Sequence, residues 1–300
     1  MAITLAEASK LSNDVLLLGV IETIIKDSPV LQKLPFIEIV GNGLTYNRES
    51  TLPTVAWYDE NEEWSAETAP TLEQVTAGLE IVGANADVDN FIKATRSNLQ
   101  DVEAAVVELN AKAVRHEFED TFINGLGTGA SKDFEGVDKI CQTTGQTLSM
   151  GDNGGALTLD KLDELVDMVK GGKPELLLMS RRTRRSLNQL SRAAGSYLQV
   201  ERDDWGAFIE LYNGIPVAIS DWVGDNKVVG TSSDCSTIYA FQMGEGALCG
   251  LTAPGGIQVE RVGQLEAKDA TRTRIKWYVG LALFSTVKLA RLIGVRPVGS

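Results

Sequence analysis

The chain has 300 residues, of which 43% are hydrophobic and 23% charged, and its formal net charge at pH 7 is -13. A composition this close to the globular average excludes a disordered chain, and the acidic excess excludes a protein that grips nucleic acid through a net positive surface. No apolar run approaches the roughly 18 residues that cross a bilayer, so no membrane partner is expected.

The first 40 residues are predicted to form an N-terminal arm. An apolar stripe at helical spacing indicates an interrupted amphipathic helix, which Pro29 and Pro35 end. The stripe consists of Leu17, Val20, Ile21, Ile24 and Ile25. Because a helix with one apolar face must cover that face, the arm is expected to pack on another surface.

Residues 41–92 are predicted to form a long two-stranded ribbon. Strand-like runs flank a Gly-Asn-Gly turn at 41–43, and a further extended run covers residues 71–92. The segment holds ten acidic side chains against one basic side chain, Arg48, which gives a net charge of -9. An isolated pair of strands is marginal in water, so the ribbon is expected to lie on another surface that is basic somewhere.

The stretch WYDENEEWSAETAP, residues 57–70, puts a cluster of acids at the predicted tip of this ribbon. A calcium loop of the EF-hand type needs glycine at its sixth position, which is Trp64 when counted from Asp59. The interpretations left open are a solvated or partner-facing loop, weak cation binding and catalysis. The loop is favoured, because carboxylates of this kind are mostly exposed.

Residues 97–124 show the clearest helical pattern, which ends at Gly125. Two adjacent apolar stripes predict a spine along which other elements pack. They comprise Leu99, Val102, Val106, Leu109 and Ala113, and beside them Val107, Ala111, Val114, Phe118 and Phe122. The following GLGTG is predicted to be a turn, because a nucleotide loop would follow a strand and not a helix.

No residue pattern indicates a catalytic, metal or cofactor site. His116 is the only histidine, and its helical register with Leu109 predicts a packed or interface side chain instead of a general base. Cys141, Cys235 and Cys249 are widely spaced and lack a CxxC pairing, so reduced structural thiols are expected.

Residues 151–260 have the pattern of a compact α/β unit. A helix over 158–172, the buried strand PELLLMS and a helix capped by Ser180 and ended by Gly195 follow one another, and short strands come after them. The second helix opens with RRTRR at 181–185, which suits a solvated face or a protein interface better than a nucleic-acid contact.

The segment 265–296 is a second basic stretch. It has seven basic residues against Glu266 and Asp269. Apolar residues alternate with cations after Ala270, which predicts a long strand with one buried face.

One acidic ribbon and two basic segments in the same chain favour self-association, in which charge complementarity sets register and encounter rate. The ribbon tip is expected to lie across a neighbouring subunit, anchored by its tryptophans, and to meet arginines of the C-terminal strand or of the helix at 181–192. The predicted contact residues are Trp57, Asp59, Glu60, Glu62, Glu63, Trp64, Arg181, Arg182, Arg184, Arg185, Arg272, Arg274 and Lys276.

The order of these features resembles the major capsid protein of tailed bacteriophages, whose fold is named after phage Hong Kong 97. The resemblance rests on collinear segments: FINGLGTGASKDFEGV at the helix exit, LLLMSRRTRR at a strand-to-helix junction, and NGIPVAISD in a following strand. It implies an α+β fold with an N-terminal arm (1–40), an extended β-ribbon loop (41–92) and a peripheral domain with the spine helix (93–150). An axial domain (151–260) and a return to the peripheral domain (261–300) complete the implied architecture.

The resemblance further implies a structural protein, with no enzyme activity, cofactor or metal. Such subunits form pentamers and hexamers in an icosahedral head that holds double-stranded DNA without sequence-specific contact. The protein would be made in the bacterial host cytoplasm and reside in the virion. Its implied partners are further copies of itself, a separate scaffolding protein, a portal protein and, in some heads, decoration proteins.

Two departures from the family pattern carry expectations of their own. The sequence begins at the arm, so a preceding scaffolding segment is not expected and a scaffold would be a separate protein or absent. Residues 41–92 contain no lysine, so noncovalent contacts are expected in place of a lysine crosslink between subunits. The alternatives are an encapsulin-type nanocompartment shell and, more remotely, a soluble acid-dependent hydrolase with Glu63 or Glu67 as general acid.

Overall fold

The computed structural model describes residues 29–64, 69–90, 102–195, 199–202 and 208–297, and the predicted helix before Pro29 lies outside them. Within these ranges the α-helices are α1 (Pro29–Lys33), α2 (Val102–Asn124), α3 (Val137–Thr144), α4 (Leu159–Met168) and α5 (Arg181–Ala193), and a 3-10 helix covers Thr286–Lys288. The strands in the first half are β1 (Phe36–Glu38), β2 (Gly43–Thr51), β3 (Thr71–Gly78), β4 (Glu80–Asp89), β5 (Thr147–Ser149), β6 (Gly155–Ala156) and β7 (Leu176–Met179). Those in the second half are β8 (Gln199–Arg202), β9 (Phe208–Tyr212), β10 (Ile215–Ile219), β11 (Lys227–Val229), β12 (Ser232–Phe241), β13 (Leu248–Thr252), β14 (Gln258–Gln264), β15 (Ala270–Leu283) and β16 (Leu289–Arg296). The α+β class predicted from the sequence is confirmed.

The predicted ribbon is present as the antiparallel pair β2 and β3. Its register runs from Gly43 opposite Gly78 to Thr51 opposite Thr71, with one irregularity near the far end. No third strand pairs with it among the described residues. The ribbon therefore projects from the body with both of its edges open, and residues 52–70 connect the two strands at its tip.

Strand β15 is the central strand of a five-stranded sheet. Strand β4 pairs along one of its edges from Asp89 to Glu80, β14 and β13 share the other edge, and β1 pairs in parallel with β13. Helix α2 packs on this sheet through one of its two predicted stripes, whose members are each at most 2% exposed. The buried members are Val107, Ala111, Val114, Phe118 and Phe122. Leu109, from the other stripe, is 65% exposed, so it does not belong to the core of the subunit.

The exit from helix α2 is a tight crossing that two glycines permit. A Cβ atom on Gly125 would lie 2.2 Å from the carbonyl oxygen of Phe134, and one on Gly136 would lie 2.7 Å from the amide nitrogen of Gly125. Between them the carboxylate of Asp133 accepts backbone hydrogen bonds from Leu126 at 3.0 Å and from Gly127 at 3.2 Å. The loop that GLGTG predicts is confirmed, and it leads directly into helix α3.

A nine-stranded sheet is the second large sheet of the subunit. Its order is β5, β16, β12, β7, β10, β9 and β8, with β6 paired to β16 and β11 paired to β12. Helices α4 and α5 pack on one face around Leu165 and Leu187. The predicted cap at the start of α5 is confirmed, because the hydroxyl oxygen of Ser180 accepts a hydrogen bond from the amide of Thr183 at 3.2 Å.

Two strands pair across the segment boundaries that were predicted from the sequence. The long strand predicted from the alternation after Ala270 is confirmed as β15, which ends at Leu283. After a 3-10 turn a separate strand, β16, joins the nine-stranded sheet beside β12. Strand β13, at 248–252, instead joins the five-stranded sheet. Alternation shows which face of a strand is buried but not which neighbour it pairs with, so the pattern could not detect these exchanges. The division into domains stays a prediction.

Replacing Phe118 by alanine should lower the free energy of unfolding by about 3–5 kcal/mol, because a fully buried aromatic ring would leave a cavity between α2 and the sheet. Its ring lies 5.0 Å from that of Trp277 and 6.3 Å from that of Phe36. Urea unfolding of the subunit followed by circular dichroism measures the change. The matched control is Leu109→Ala on the exposed side of the same helix, which should change the free energy by less than about 0.5 kcal/mol. Equal losses in the two variants would show that α2 does not pack as described.

Candidate assembly interface

The ribbon tip exposes aromatic side chains that a stable monomer would bury. Trp57 is 101% exposed and Trp64 is 76% exposed, and the ring of Tyr58 stacks on that of Trp64 at a centroid distance of 4.5 Å. Val55, which precedes this pair, is 92% exposed. Exposed apolar side chains concentrated at one place mark a surface that contacts another molecule.

The acids at the tip form a local turn but have no cationic partner. Glu62 accepts a hydrogen bond from the backbone amide of Asp59 at 2.8 Å, and its own amide donates to the carbonyl oxygen of Asp59 at 3.2 Å. Within the described residues, no lysine or arginine comes within ion-pair distance of Asp59, Glu60, Glu62 or Glu63. These carboxylates therefore lie exposed and electrostatically uncompensated in the single subunit.

The root of the ribbon, in contrast, is fixed to the body. The hydroxyl of Tyr46 donates a hydrogen bond to the carbonyl oxygen of Leu283 at 2.9 Å, and Nε of Arg48 donates to the same oxygen at 3.1 Å. The ring of Tyr46 also lies 4.7 Å from that of Phe284. Burial is the largest effect on Tyr46 and raises the pKa of its hydroxyl, so the hydroxyl stays a hydrogen-bond donor. The direction in which the ribbon leaves the body is set at the last residue of strand β15.

The predicted cations of the C-terminal strand are mostly occupied within the subunit. Arg272 binds Asp87 of β4 through two hydrogen bonds of 2.6 Å, and Lys276 binds Glu260 of β14 at 2.9 Å. Arg274, between them on the same face, hydrogen-bonds the neutral side chain of Asn85 at 3.0 Å. Within the described residues Arg274 is the member of this set that has no carboxylate at ion-pair distance, although its charge helps to lower the pKa of Glu260 on the paired strand β14.

The arginines of helix α5 show the same distribution. Arg181 binds Asp221 at 2.6 Å, Arg182 lies 3.4 Å from Asp225, and Arg184 lies 3.6 Å from Glu210. Arg182 also donates a hydrogen bond of 2.6 Å to the carbonyl oxygen of Asp234.

Arg185 is exposed and has no acidic partner in the part of the chain that the structure describes. Of the seven predicted cations, Arg185 and Arg274 are thus the two left available for an acid from another molecule.

The paired carboxylates titrate below their ordinary range. The hydrogen bonds from Arg272 hold the pKa of Asp87 below its usual value, and Arg181 and Lys276 lower the pKa of Asp221 and of Glu260 in the same way. These acids stay charged and paired at neutral pH. A neighbouring ribbon could bind their cations only by displacing an acid that is already bound.

The structure does not bring the predicted acidic and basic residues together within one subunit at the tip. The ion pair between residues 41–92 and the C-terminal strand that it does contain joins Asp87 to Arg272, near the end of β4 that lies away from the ribbon. Asp87 belongs to the acidic excess of residues 41–92, but the predicted contact set omits it. The signal that could have identified this pair is that two opposite charges face each other across a long strand pair. Using this signal requires the register of β4 against β15, which the sequence alone does not provide.

A second charged cluster, which sequence reasoning missed, joins helix α3 to three strands of the nine-stranded sheet. Asp138 accepts hydrogen bonds of 2.7 Å from Nη1 of Arg291 and from the hydroxyl of Tyr239, and Nζ of Lys227 lies 3.1 Å away. Burial works against the charge of Asp138, but Lys227, Tyr239 and Arg291 outweigh it and lower the pKa of this carboxyl. The partners are too far apart in sequence to be linked by spacing. The available signal was Arg291 inside an apolar run, where it is only 9% exposed.

The described histidine and cysteine side chains form neither a metal cluster nor a reactive thiolate. No set of three histidine, cysteine or acidic side chains that could hold a metal ion occurs within the described ranges. All three cysteines are buried, and burial raises the pKa of Cys141 to about 12 and that of Cys249 to about 11, so neither forms a reactive thiolate at neutral pH. His116 is exposed on α2, where its ring meets the edge of Trp222 at 5.9 Å.

Among the described helices, none has both the length and the apolar character that a bilayer span requires.

The sequence and the fold were compared with known proteins. A model described as the phage capsid family matches residues 15–290. No curated protein matches the sequence.

Similar solved structures include the SrpI encapsulin of Synechococcus elongatus PCC 7942, with 19% identity over 90% of this chain and 89% of that chain and a TM-score of 0.66. A chain from Mycobacterium phage Adephagia has 15% identity over 91% of both chains and a TM-score of 0.64. The capsid of an empty GTA particle has 16% identity over 89% of both chains and a TM-score of 0.63.

Replacing Asp138 by asparagine should lower the free energy of unfolding at pH 7 by about 3 kcal/mol, because Lys227 and Arg291 would be left partly buried and unneutralised. The folded pKa of Asp138 lies below its unfolded value of about 3.9. Its contribution is therefore complete above that value and is lost as the pH falls through the folded pKa. Urea unfolding at several pH values should show the difference between variant and parent shrinking below about pH 4. Asp221→Asn, which breaks an exposed pair, is the control and should have a much smaller effect. A pH-independent difference would assign the loss to packing instead of charge.

Proposed function

Because the chain belongs to the phage capsid family, we propose that it is the major capsid protein that builds the icosahedral head shell of a tailed double-stranded DNA bacteriophage. The observation that carries this proposal is the family match, which covers 276 consecutive positions, residues 15–290. Support comes from the fold, whose solved neighbours come from phages, a GTA particle and encapsulins. The role is structural and consists of self-assembly into a shell.

The ribbon is the part of the subunit that most needs a neighbour. Its tip combines Trp57 and Trp64, which are largely exposed, with four carboxylates that lack a cation within the described chain. Burying two indole rings on an adjacent subunit would supply a large apolar contribution, and the acids around them would set orientation. We therefore assign the tip to a contact between subunits.

The cations that receive the tip are best sought among those not yet paired. Seven basic residues were predicted to meet the tip. Two of them, Arg274 on β15 and Arg185 on α5, have no carboxylate at ion-pair distance among the described residues. A contact at Arg272, Lys276 or Arg181 would have to replace an existing ion pair and would gain little. Arg274 and Arg185 thus identify two alternative surfaces of the neighbour, one at strand β15 and the other at helix α5.

The remaining features of the shell follow from the family. Subunits would assemble as pentamers and hexamers and enclose DNA without reading its sequence, in line with a net charge of -13. A separate scaffolding protein, a portal and decoration proteins are the partners to test for. Since residues 41–92 contain no lysine, these contacts would be noncovalent along the ribbon. Synthesis in the host cytoplasm and residence in the virion complete the proposal.

An encapsulin-type compartment that holds protein cargo is the second candidate, favoured by the likeness to the SrpI encapsulin. The hydrolase alternative receives no support from the site. A general acid requires an enclosed pocket that shifts its pKa, whereas Glu63 lies exposed at the ribbon tip, and Glu67 is outside the described residues.

Particles purified after expression should appear as closed shells of megadalton mass in electron microscopy. Shells taken from a bacterium that carries the complete gene neighbourhood should contain double-stranded DNA, which nuclease protection measures. A protein cargo in place of DNA would favour the compartment. A monomer or dimer under all assembly conditions would overturn both shell functions.

Replacing Glu60, Glu62 and Glu63 together by alanine should weaken assembly and flatten its dependence on salt. Three exposed charge contacts of about 0.5 kcal/mol each amount to about a tenfold rise in the subunit concentration needed for assembly. Light scattering against subunit concentration, at low and high salt, measures both effects. The control is the triple change of Asp152, Asp160 and Asp167 to alanine, which removes the same charge from exposed positions outside the ribbon.

Charge reversal then distinguishes the two receiving surfaces. If the tip binds Arg274, Arg274→Glu should weaken assembly and Arg185→Glu should not, and the opposite pattern would identify helix α5. An unchanged assembly curve in the Glu60, Glu62 and Glu63 variant and in both charge-reversal variants would show that the tip acids contact no neighbour.

A further inference from the structure

A cleft of about 470 Å³ lies at one end of the nine-stranded sheet. The adjacent strands β7, β10, β9 and β8 contribute to its floor, and helix α1 forms a wall through Pro29 and Lys33. Most of the lining is apolar, and its members include Leu176, Val200, Ile209, Val217 and Ile219. Val200 is 58% exposed and Phe208 is 71% exposed, so part of the apolar lining is accessible to another segment.

The polar groups of the cleft favour a partner that carries a carboxylate. Among the described residues that line it, Lys33 and Arg184 are basic and Glu210 is acidic. That acid is already bound, since it accepts hydrogen bonds of 3.2 and 3.3 Å from Asn188 and lies 3.6 Å from Arg184. The buried Nε of Arg184 has no acceptor among the described residues. The cleft therefore presents apolar area, an excess positive charge and a buried donor that needs an acceptor.

The segment that precedes Pro29 matches this chemistry and enters at the wall of the cleft. Residues 14–28, DVLLLGVIETIIKDS, carry the apolar stripe predicted for the arm and three acids against one base, Lys26. These residues lie outside the described ranges, but their attachment to Pro29 limits their reach. Ile24 can be at most about 18 Å from Pro29, and the strands from β10 to β8 span only about 10 Å. The tether gives this segment a high effective concentration at the cleft.

We propose that residues 14–28 bind in this cleft of their own subunit, with the apolar stripe against Val200 and Ile209 and an acidic side chain facing Lys33 and Arg184. The occupant is thus the arm of the same chain. Binding needs only one subunit and does not depend on the shell, so a failure of shell assembly would leave it testable.

Disulfide trapping in the full-length chain tests the docking. The double variant Ile24→Cys with Val200→Cys should form an intrachain disulfide under mild oxidation, because the two Cβ atoms must approach to about 4 Å for the bond to form. A faster-migrating monomer on a non-reducing gel reports it. The native cysteines are buried and should not compete.

The control variant pairs Ile24→Cys with Val228→Cys. Val228 is 72% exposed on β11, about 20 Å or more across the sheet from β8. Trapping at Val200 should be at least about tenfold faster than at Val228, and adding Arg184→Met to the Val200 pair should slow it. Equal trapping rates at the two positions would overturn the proposal. A dimer in place of the fast monomer would also overturn it, since the arm would then occupy the cleft of another copy.

Discussion

The interaction on which the rest of this subunit depends is the pairing of strand β15 with the strands β4, β13 and β14. Ten consecutive residues of β15 pair with β4, its other edge holds β14 and β13, and one face carries the core under helix α2. Its last carbonyl, that of Leu283, receives both Tyr46 and Arg48 and so fixes the root of the ribbon. Because the ribbon strands continue directly into β4, one strand determines where the ribbon starts and in which direction it projects. A long ribbon that is anchored at one strand of the body suits a contact with a molecule beyond its own subunit.

Charge is distributed so that the body of the subunit is largely self-sufficient and the ribbon tip is not. Asp87, Asp221 and Glu260 each pair with a cation, which lowers the pKa of the carboxyl. Most of the cations of β15 and α5 are paired with acids of the same subunit. The tip acids have no such partner in the described chain. The proposed tip contact would therefore supply much of the electrostatic part of assembly from few residues. Salt should act on that contact more than on the fold, since exposed charges are screened most effectively.

Asp138 holds helix α3 in place on the nine-stranded sheet. A single carboxylate on helix α3 binds side chains from β11, β12 and β16, and Arg291 also donates a hydrogen bond to the backbone carbonyl of Asp138 at 2.9 Å. The apolar core beside it continues from Phe122 on α2 to Phe241 on β12, whose rings meet edge to face at 6.0 Å. Packing holds the helices against the sheet, while the charged cluster requires one specific alignment of α3, since a shifted helix would leave buried cations without their acid.

The sequence by itself determined the element types, the acidic ribbon, the buried stripe of α2 and the cap at Ser180, because periodicity and capping are local properties. The collinear order of LLLMSRRTRR and NGIPVAISD was enough to indicate the capsid family before any coordinates. Only the tertiary structure decided that β16 and β13 pair outside their predicted segments and that Arg272 is bound to Asp87. It also decided that, among the described residues, no acid lies at ion-pair distance from Arg274 or Arg185. Those outcomes depend on register and on contacts between residues that are far apart in the sequence, 185 positions in the case of Asp87 and Arg272. A local pattern contains no information about which distant partner a side chain will meet.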